Sequence, residues 1–130
     1  MTRIVVVVDD NENNLLLEKD LLEVAGFLVF TAENATDGIA VTKRELPDII
    51  VMDVRLPDMR GTEAAMILRQ DPTTMHIPIV FVTASVMAEG REIIDGIPNS
   101  GFIGKPINTR TFVKDICGYL KQEPGAPDVG

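Results

Sequence analysis

The chain has 130 residues and a formal net charge of −8 at pH 7, a length suited to one domain with a full core and too short for two. Its acidic balance argues against unaided binding to nucleic acid or to an anionic membrane, because both require a basic surface. The single cysteine, Cys117, excludes an internal disulfide, and no apolar stretch is long enough for a membrane span. We therefore expect a cytoplasmic domain.

Five short apolar segments are predicted to be strands of a parallel sheet, since a strand buried on both faces is apolar throughout. In chain order they are Ile4–Val8, Leu28–Thr31, Ile49–Asp53, Ile79–Thr83 and Phe102–Lys105. Residues 13–25, 34–46 and 62–70 and a segment after Asn108 show a helical spacing of apolar residues. Between the fourth and fifth strands, Gly90, Gly96 and Pro98 permit at most a short helix. We expect a domain over residues 1–122 and a flexible tail at 123–130, which is rich in Pro and Gly.

The first predicted helix contains several leucines, and their spacing predicts which side of it is buried. Leu17, Leu21, Val24 and Ala25 fall on one face, which we expect to pack against the sheet. Leu15 and Leu16 then lie about 100° or more away from Leu17. They are either ordinary exposed leucines or part of a docking patch.

Polar residues lie at the carboxyl ends of four predicted strands: Asp9, Asp10, Asp53, Thr83 and Lys105. Strands that alternate with helices form a parallel sheet, in which all these ends share one edge. Two carboxylates about 5 Å apart at an effective dielectric of about 20 repel by roughly 3 kcal/mol, and a hard cation such as Mg²⁺ relieves this repulsion. With Lys105 and Thr83 beside it, Asp53 has the partners needed to attack phosphorus and form an aspartyl phosphate.

These residues carry a resemblance to a known family. Asp9-Asp10, Asp53, Thr83-Ala84 and Lys105-Pro106, at these spacings, resemble the receiver domain of two-component response regulators. The resemblance extends over roughly residues 3–121, and segments 10–14, 53–61 and 102–107 are especially similar to stand-alone, cell-cycle-type receivers. Each motif alone is weak, but the four motifs in this order are specific.

The resemblance implies an α/β, flavodoxin-like (βα)5 fold, a doubly wound parallel sheet with strand order 2-1-3-4-5. Asp53 matches the phosphoacceptor of the family. Asp10, Asp53 and the backbone carbonyl of Arg55 match its Mg²⁺ ligands, and Asp9 matches a residue that acts mainly through water. Arg55 also occupies a variable position that influences how long the phosphoryl group survives.

The resemblance further implies how the signal is received and passed on. Lys105 matches the lysine that contacts the phosphoryl group, and the peptide bond to Pro106 matches one that is usually cis. Thr83 and Phe102 match a switch pair that alters the surface formed by the fourth helix, fifth strand and fifth helix. The expected phosphodonor is a histidine kinase or a histidine phosphotransfer protein, and the docking patch at Leu15 and Leu16 would lie where it binds.

Other functions fit the residues less well. A flavin-binding flavodoxin needs a loop that attracts phosphate after the first strand, but Asp9-Asp10-Asn11-Glu12 would repel it. A haloacid-dehalogenase-like phosphatase needs a second Asp where this chain has Arg55. A pseudo-receiver, which keeps the fold without being phosphorylated, remains an alternative, as does a receiver cut from a multidomain regulator or hybrid kinase. We expect a signalling phosphoacceptor that is a monomer or weak dimer and promotes its own phosphorylation and autodephosphorylation, not a metabolic enzyme.

Overall fold

The computed structural model describes residues 2–84, 94 and 96–120. Its five strands are β1 (Ile4–Val8), β2 (Leu28–Ala32), β3 (Ile49–Asp53), β4 (Ile79–Thr83) and β5 (Ser100–Gly104). All neighbours pair in parallel, in the order β2-β1-β3-β4-β5, which confirms the expected fold. The described helices are α1 (Glu12–Val24), α2 (Ala35–Glu45), α3 (Gly61–Arg69) and α4 (Phe112–Tyr119). Most of the short helix expected before β5 and the whole tail at 123–130 lie outside the described residues.

Apolar side chains on the two faces of the sheet form two separate cores. Successive residues of a strand point to opposite faces, so Val6 joins a cluster that includes Leu68 of α3. Val5 joins the other cluster, with Leu22 of α1 and Ile116 of α4. Each fully buried aliphatic side chain contributes about 1.5–3 kcal/mol relative to an exposed one. No described helix is long and apolar enough to cross a bilayer.

The buried face of α1 differs from the prediction. The helix buries Leu15, Glu18 and Leu22, whereas Leu17, Val24 and Ala25 are exposed and Leu21 is half-buried. The prediction was wrong because an acidic residue, Glu18, lies in the middle of the buried face and interrupts its apolar pattern. Leu15 is only 8% exposed and belongs to the core, so it cannot form a docking patch, whereas Leu16 is 55% exposed.

Two glycines let helices approach the strands that end at the polar edge. A Cβ atom at Gly61, the first residue of α3, would overlap the backbone oxygen of Asp53. A Cβ atom at Gly38 of α2 would lie 2.7 Å from a methyl group of Val8. Because no other residue leaves this space, these positions bring α3 against β3 and α2 against the end of β1.

The entry to β5 is fixed by hydrogen bonds from the side chains of α3 and of the loop itself. Arg69 donates to the backbone carbonyls of Pro98 (3.0 Å) and Asn99 (3.1 Å). Asn99 has a left-handed backbone (φ 57°) and donates from its side chain to the carbonyl of His76 at 2.8 Å. These contacts hold the chain immediately before β5, and the strand begins two residues earlier than its apolar sequence predicts.

Candidate functional site

The polar edge of the sheet brings together three of the side chains that the sequence singled out, Asp9, Asp53 and Lys105. Asp9 and Lys105 directly follow β1 and β5, and Asp53 is the last residue of β3. The ammonium nitrogen of Lys105 lies 2.9 Å from Asp53 Oδ2 and 3.4 Å from Asp9 Oδ2. Lysine therefore forms ion pairs with carboxylates from two neighbouring strands.

Three carboxylates form an oxygen-rich cluster at this edge. Asp9, Asp10 and Asp53 each offer one oxygen, and these atoms all lie within 4.8 Å of one another. Asp9 and Asp53 are buried, whereas Asp10 is exposed, so the cluster faces solvent on one side. Oxygen donors at this spacing suit a hard divalent cation such as Mg²⁺.

Backbone amides orient the two buried carboxylates. The amide of Asn11 donates to Asp9 Oδ1 at 2.8 Å, and the amide of Arg55 donates to Asp53 Oδ1 at 3.1 Å. Each aspartate thus bonds the backbone two residues ahead, as short polar side chains commonly do in turns. Both Oδ1 atoms have a backbone partner, and both Oδ2 atoms face the ammonium group of Lys105.

Burial and the ion pairs shift the pKa values of Lys105 and Asp9 in opposite directions. Burial lowers the pKa of Lys105, but its hydrogen bond to Asp53 and the charges of Asp53 and Asp9 together raise it above the ordinary value. Lys105 therefore stays cationic at neutral pH. Burial raises the pKa of Asp9, although the Asn11 amide and Lys105 counteract part of this effect.

Lys105 is held in place by its own backbone. Its amide donates to the carbonyl of Thr83 at 2.8 Å, which extends the pairing of β4 and β5 by one residue. The peptide bond to Pro106 is cis, as expected. The side chain of Lys105 consequently projects from the same sheet edge as the carboxylates.

The two candidate switch residues lie on neighbouring strands. Thr83 ends β4 and is 3% exposed, and Phe102 lies in the middle of β5, half-buried against the core cluster of α2 and α3. The Tyr119 hydroxyl lies 3.4 Å from the carbonyl of Phe102, and its ring contacts Gly101, where any Cβ atom would overlap it. α4 is therefore packed directly on the strand that carries Phe102.

Comparison with known proteins agrees with this geometry. The family model of the response regulator receiver domain matches residues 5–117. The chain belongs to this family. It is thus a receiver domain of two-component signalling, with its acidic cluster at the carboxyl edge of the sheet.

Individual relatives support this assignment. The receiver domain is 34% identical over 120 residues to the polar-differentiation response regulator DivK of Brucella ovis, covering 92% of this chain and 98% of the relative. The structure of the chemotaxis response regulator CheY4 of Vibrio cholerae superposes with a TM-score of 0.87 at 26% identity, over 92% of this chain and 100% of that one. The receiver domain of the sensor histidine kinase PA1611 of Pseudomonas aeruginosa, with magnesium coordinated in its active site cleft, shares the fold at 22% identity and a TM-score of 0.83, over 92% and 98% of the two chains.

One buried acidic residue of the receiver domain was not predicted from its sequence. Glu18 on α1 is 2% exposed. Burial, together with the adjacent carboxylate of Asp9, raises the pKa of Glu18 to about 8. The signal that could have revealed it is the spacing of Leu15, Glu18 and Leu22, which places all three on one helical face. A fourth carboxyl group therefore lies on the interior side of the acidic cluster.

Proposed function

We propose that this receiver domain accepts a phosphoryl group on Asp53 from a phosphohistidine of a histidine kinase or a histidine phosphotransfer protein, in a Mg²⁺-dependent reaction. The observation that carries the proposal is the ammonium group of Lys105, 2.9 Å from Asp53 Oδ2, beside three carboxylates whose oxygens lie within 4.8 Å of one another. A carboxylate with a cation-binding cluster and a fixed lysine has the partners that phosphoryl transfer requires.

Asp53 and the residues around it have separate roles in the phosphoryl transfer. A carboxylate oxygen of Asp53 forms a bond to phosphorus as the phosphorus–nitrogen bond of the donor histidine breaks, and the imidazole leaves with its electron pair. Lys105 balances negative charge on the phosphoryl oxygens, and the hydroxyl of Thr83 donates a hydrogen bond to one of them. The Asn11 and Arg55 amides keep both carboxylates in orientation throughout.

The donor set fits Mg²⁺, because it consists of oxygen atoms and carries more negative charge than Lys105 neutralises. Asp10, Asp53 and the backbone carbonyl of Arg55 would hold the ion, and Asp9 would act through water. When bound, the ion supplies positive charge that offsets the carboxylates and the phosphoryl oxygens.

The surface beside the site suits a protein phosphodonor. Leu16 and Leu17 are exposed on the N-terminal half of α1. Leu17 borders a cavity of about 360 Å³ that extends to Lys105 and Ile107. Apolar side chains next to a reactive group provide contact area for a partner whose histidine must reach Asp53.

The assignment of Asp53 is tested by incubating the protein with Mg²⁺ and acetyl phosphate and measuring its intact mass. We expect one phosphoryl group on the native protein and none on Asp53→Asn. The matched control is Asp48→Asn, an exposed aspartate at the opposite end of β3, which should be labelled like the native protein. Equal labelling of Asp53→Asn would show that the phosphoacceptor is another residue.

We also propose that Thr83 and Phe102 transmit phosphorylation to the outer surface. When the hydroxyl of Thr83 turns to a phosphoryl oxygen, it vacates space that the half-buried ring of Phe102 can enter. A beryllofluoride mimic should then change amide hydrogen exchange in β5 of the native protein and of Thr83→Ser, but not of Thr83→Ala. A full response in Thr83→Ala would contradict this route.

A further inference from the structure

The loop between β3 and α3 is attached to α2 by one carboxylate. Asp58 Oδ1 accepts a hydrogen bond from the amide of Ala35 at 2.9 Å. Its Oδ2 accepts from the amide of Thr36 at 2.8 Å and from the hydroxyl of Thr36 at 2.5 Å. The Thr36 hydroxyl, followed by the Ala35 amide, lowers the pKa of Asp58 to about 2, so the carboxylate is fully ionised at neutral pH.

Asp58 completes the capping of α2 from a distant part of the chain. The first amides of a helix have no partner within it. In α2 the third of these amides, that of Asp37, bonds to the side chain of Asn34, the local N-cap, at 2.8 Å. The first two amides bond to Asp58, which lies more than 20 residues further along the chain. The loop is therefore attached to α2 by a specific contact at its tip.

The same loop is closed at its base. The amide of Gly61 donates to the carbonyl of Val54 at 2.8 Å, and Arg55 pairs with Arg60 in an antiparallel bridge. Arg55 lies inside this closed base, where its amide also binds Asp53. With both base and tip attached, the loop has little freedom to move its backbone carbonyls.

The helix that holds the tip is itself fixed to β1. Gly38, one turn into α2, lies so close to Val8 that a Cβ atom would meet its methyl group at 2.7 Å. Val8 is the last residue of β1 and immediately precedes Asp9. The contact of Asp58 with α2 therefore links the loop of Arg55 to the strand that carries the other carboxylates.

We propose that Asp58 is a positioning residue for the cation site, which it holds together by fixing the loop of Arg55 relative to Asp9 and Asp10. This inference rests on the proposed Mg²⁺ site. Asp58 itself does not touch the ion. It acts through the loop backbone, so that the carbonyl of Arg55 and the carboxylates on β1 keep their spacing before any ligand binds.

The experiment compares three variants. Asp58→Ala removes the whole attachment, and Thr36→Val removes only the hydroxyl while keeping the shape of the side chain. The matched control is Asn34→Ala, which weakens the same end of α2 by removing its local cap and leaves the loop attached. For each protein, Mg²⁺ affinity is measured by calorimetry, stability by urea unfolding, and amide exchange of residues 54–61 without metal.

We expect Asp58→Ala to bind Mg²⁺ about tenfold more weakly, since partners that orient ligands typically contribute tenfold or more. Thr36→Val should give a smaller loss. In metal-free Asp58→Ala, the Arg55 and Gly61 amides should exchange faster than in the native protein. Asn34→Ala should lose stability to a similar degree but keep its Mg²⁺ affinity and its loop exchange.

Two results would contradict the inference in different ways. If Asp58→Ala loses stability like Asn34→Ala and still binds Mg²⁺ like the native protein, Asp58 is a helix cap and nothing more. If the native protein itself does not bind Mg²⁺, the proposed cation site is wrong, and a positioning role of Asp58 for that site is excluded as well.

Discussion

The buried carboxyl group of Glu18 makes a specific prediction about pH and stability. Burial, with a further contribution from Asp9, raises its pKa from the ordinary value of 4.5 to about 8. In the folded protein without Mg²⁺, Glu18 is therefore protonated at neutral pH, whereas in the unfolded chain it is ionised. Folding at pH 7 consequently takes up about one proton at this residue.

The direction and size of the change in stability with pH follow from the difference between the pKa of Glu18 in the folded and unfolded states. Because the pKa of Glu18 is higher in the folded state, its favourable contribution is complete below pH 4.5 and is lost as the pH rises to about 8. Each pH unit within this window lowers the free energy of unfolding by about 1.4 kcal/mol. Between pH 5.5 and pH 7.5 the loss is roughly 2–3 kcal/mol, a large part of the ~5–15 kcal/mol that stabilises a typical domain.

Equilibrium urea unfolding with EDTA, at several pH values between 5.5 and 7.5, measures this effect. Glu18→Gln keeps the size of the side chain, cannot ionise, and can donate a hydrogen bond to Asp9. We expect the variant to gain stability relative to the native protein by about 1.4 kcal/mol per pH unit. Glu23→Gln, at an exposed position on the same helix, is the control for removing one carboxylate from α1.

The difference between the unfolding free energies of Glu18→Gln and the native protein cancels the contributions of groups that titrate alike in both. If the stabilities of Glu18→Gln and the native protein run parallel across this pH range, Glu18 does not retain its proton on folding. The argument from burial would then be refuted.

Three further predictions concern packing and the metal site. Gly61→Ala should lower the free energy of unfolding by about 1–3 kcal/mol and slow phosphorylation, because the added methyl group overlaps the backbone of β3. The control is Gly118→Ala, in open space on α4, which should not destabilise the fold. Urea unfolding and acetyl phosphate labelling test both variants. Arg69→Met should lower the unfolding free energy by about 2 kcal/mol, because two backbone carbonyls before β5 lose a charged donor, and unchanged stability would contradict this. Asp10→Ala should weaken Mg²⁺ binding in calorimetry more than Asp9→Ala, in which a water can substitute; equal affinities in both variants and the native protein would argue against the site.

The sheet and the convergence of its polar edge were predictable because both follow from local rules. Short unbroken apolar runs of β-branched and aromatic residues, such as Ile79–Val82, are typical of buried strands in a parallel sheet. Since all carboxyl ends of such strands share an edge, Asp53 and Lys105 were predicted to be able to converge there. The strand order came only from the resemblance to a family, since nothing in the spacing of apolar residues specifies it.

Other features depend on contacts that no local pattern records. The rotation of α1 was mispredicted because Glu18 is buried, which a pattern of apolar residues cannot represent. The attachment of Asp58 to Thr36 joins positions 22 residues apart and leaves no periodic signal in either segment. β5 begins at Ser100 because Ser100 pairs with Ile79, and pairing of this kind depends on the neighbouring strand, not on the residue's own polarity.

The packing of Tyr119 on β5 has a practical consequence for spectroscopy. The chain contains one tyrosine and no tryptophan, so its ultraviolet fluorescence comes essentially from this ring. The ring rests on Gly101, and its hydroxyl lies beside the carbonyl of Phe102. Unlabelled native protein thus carries one built-in tyrosine fluorophore at the contact between α4 and β5, and a fluorescence titration reports on that contact.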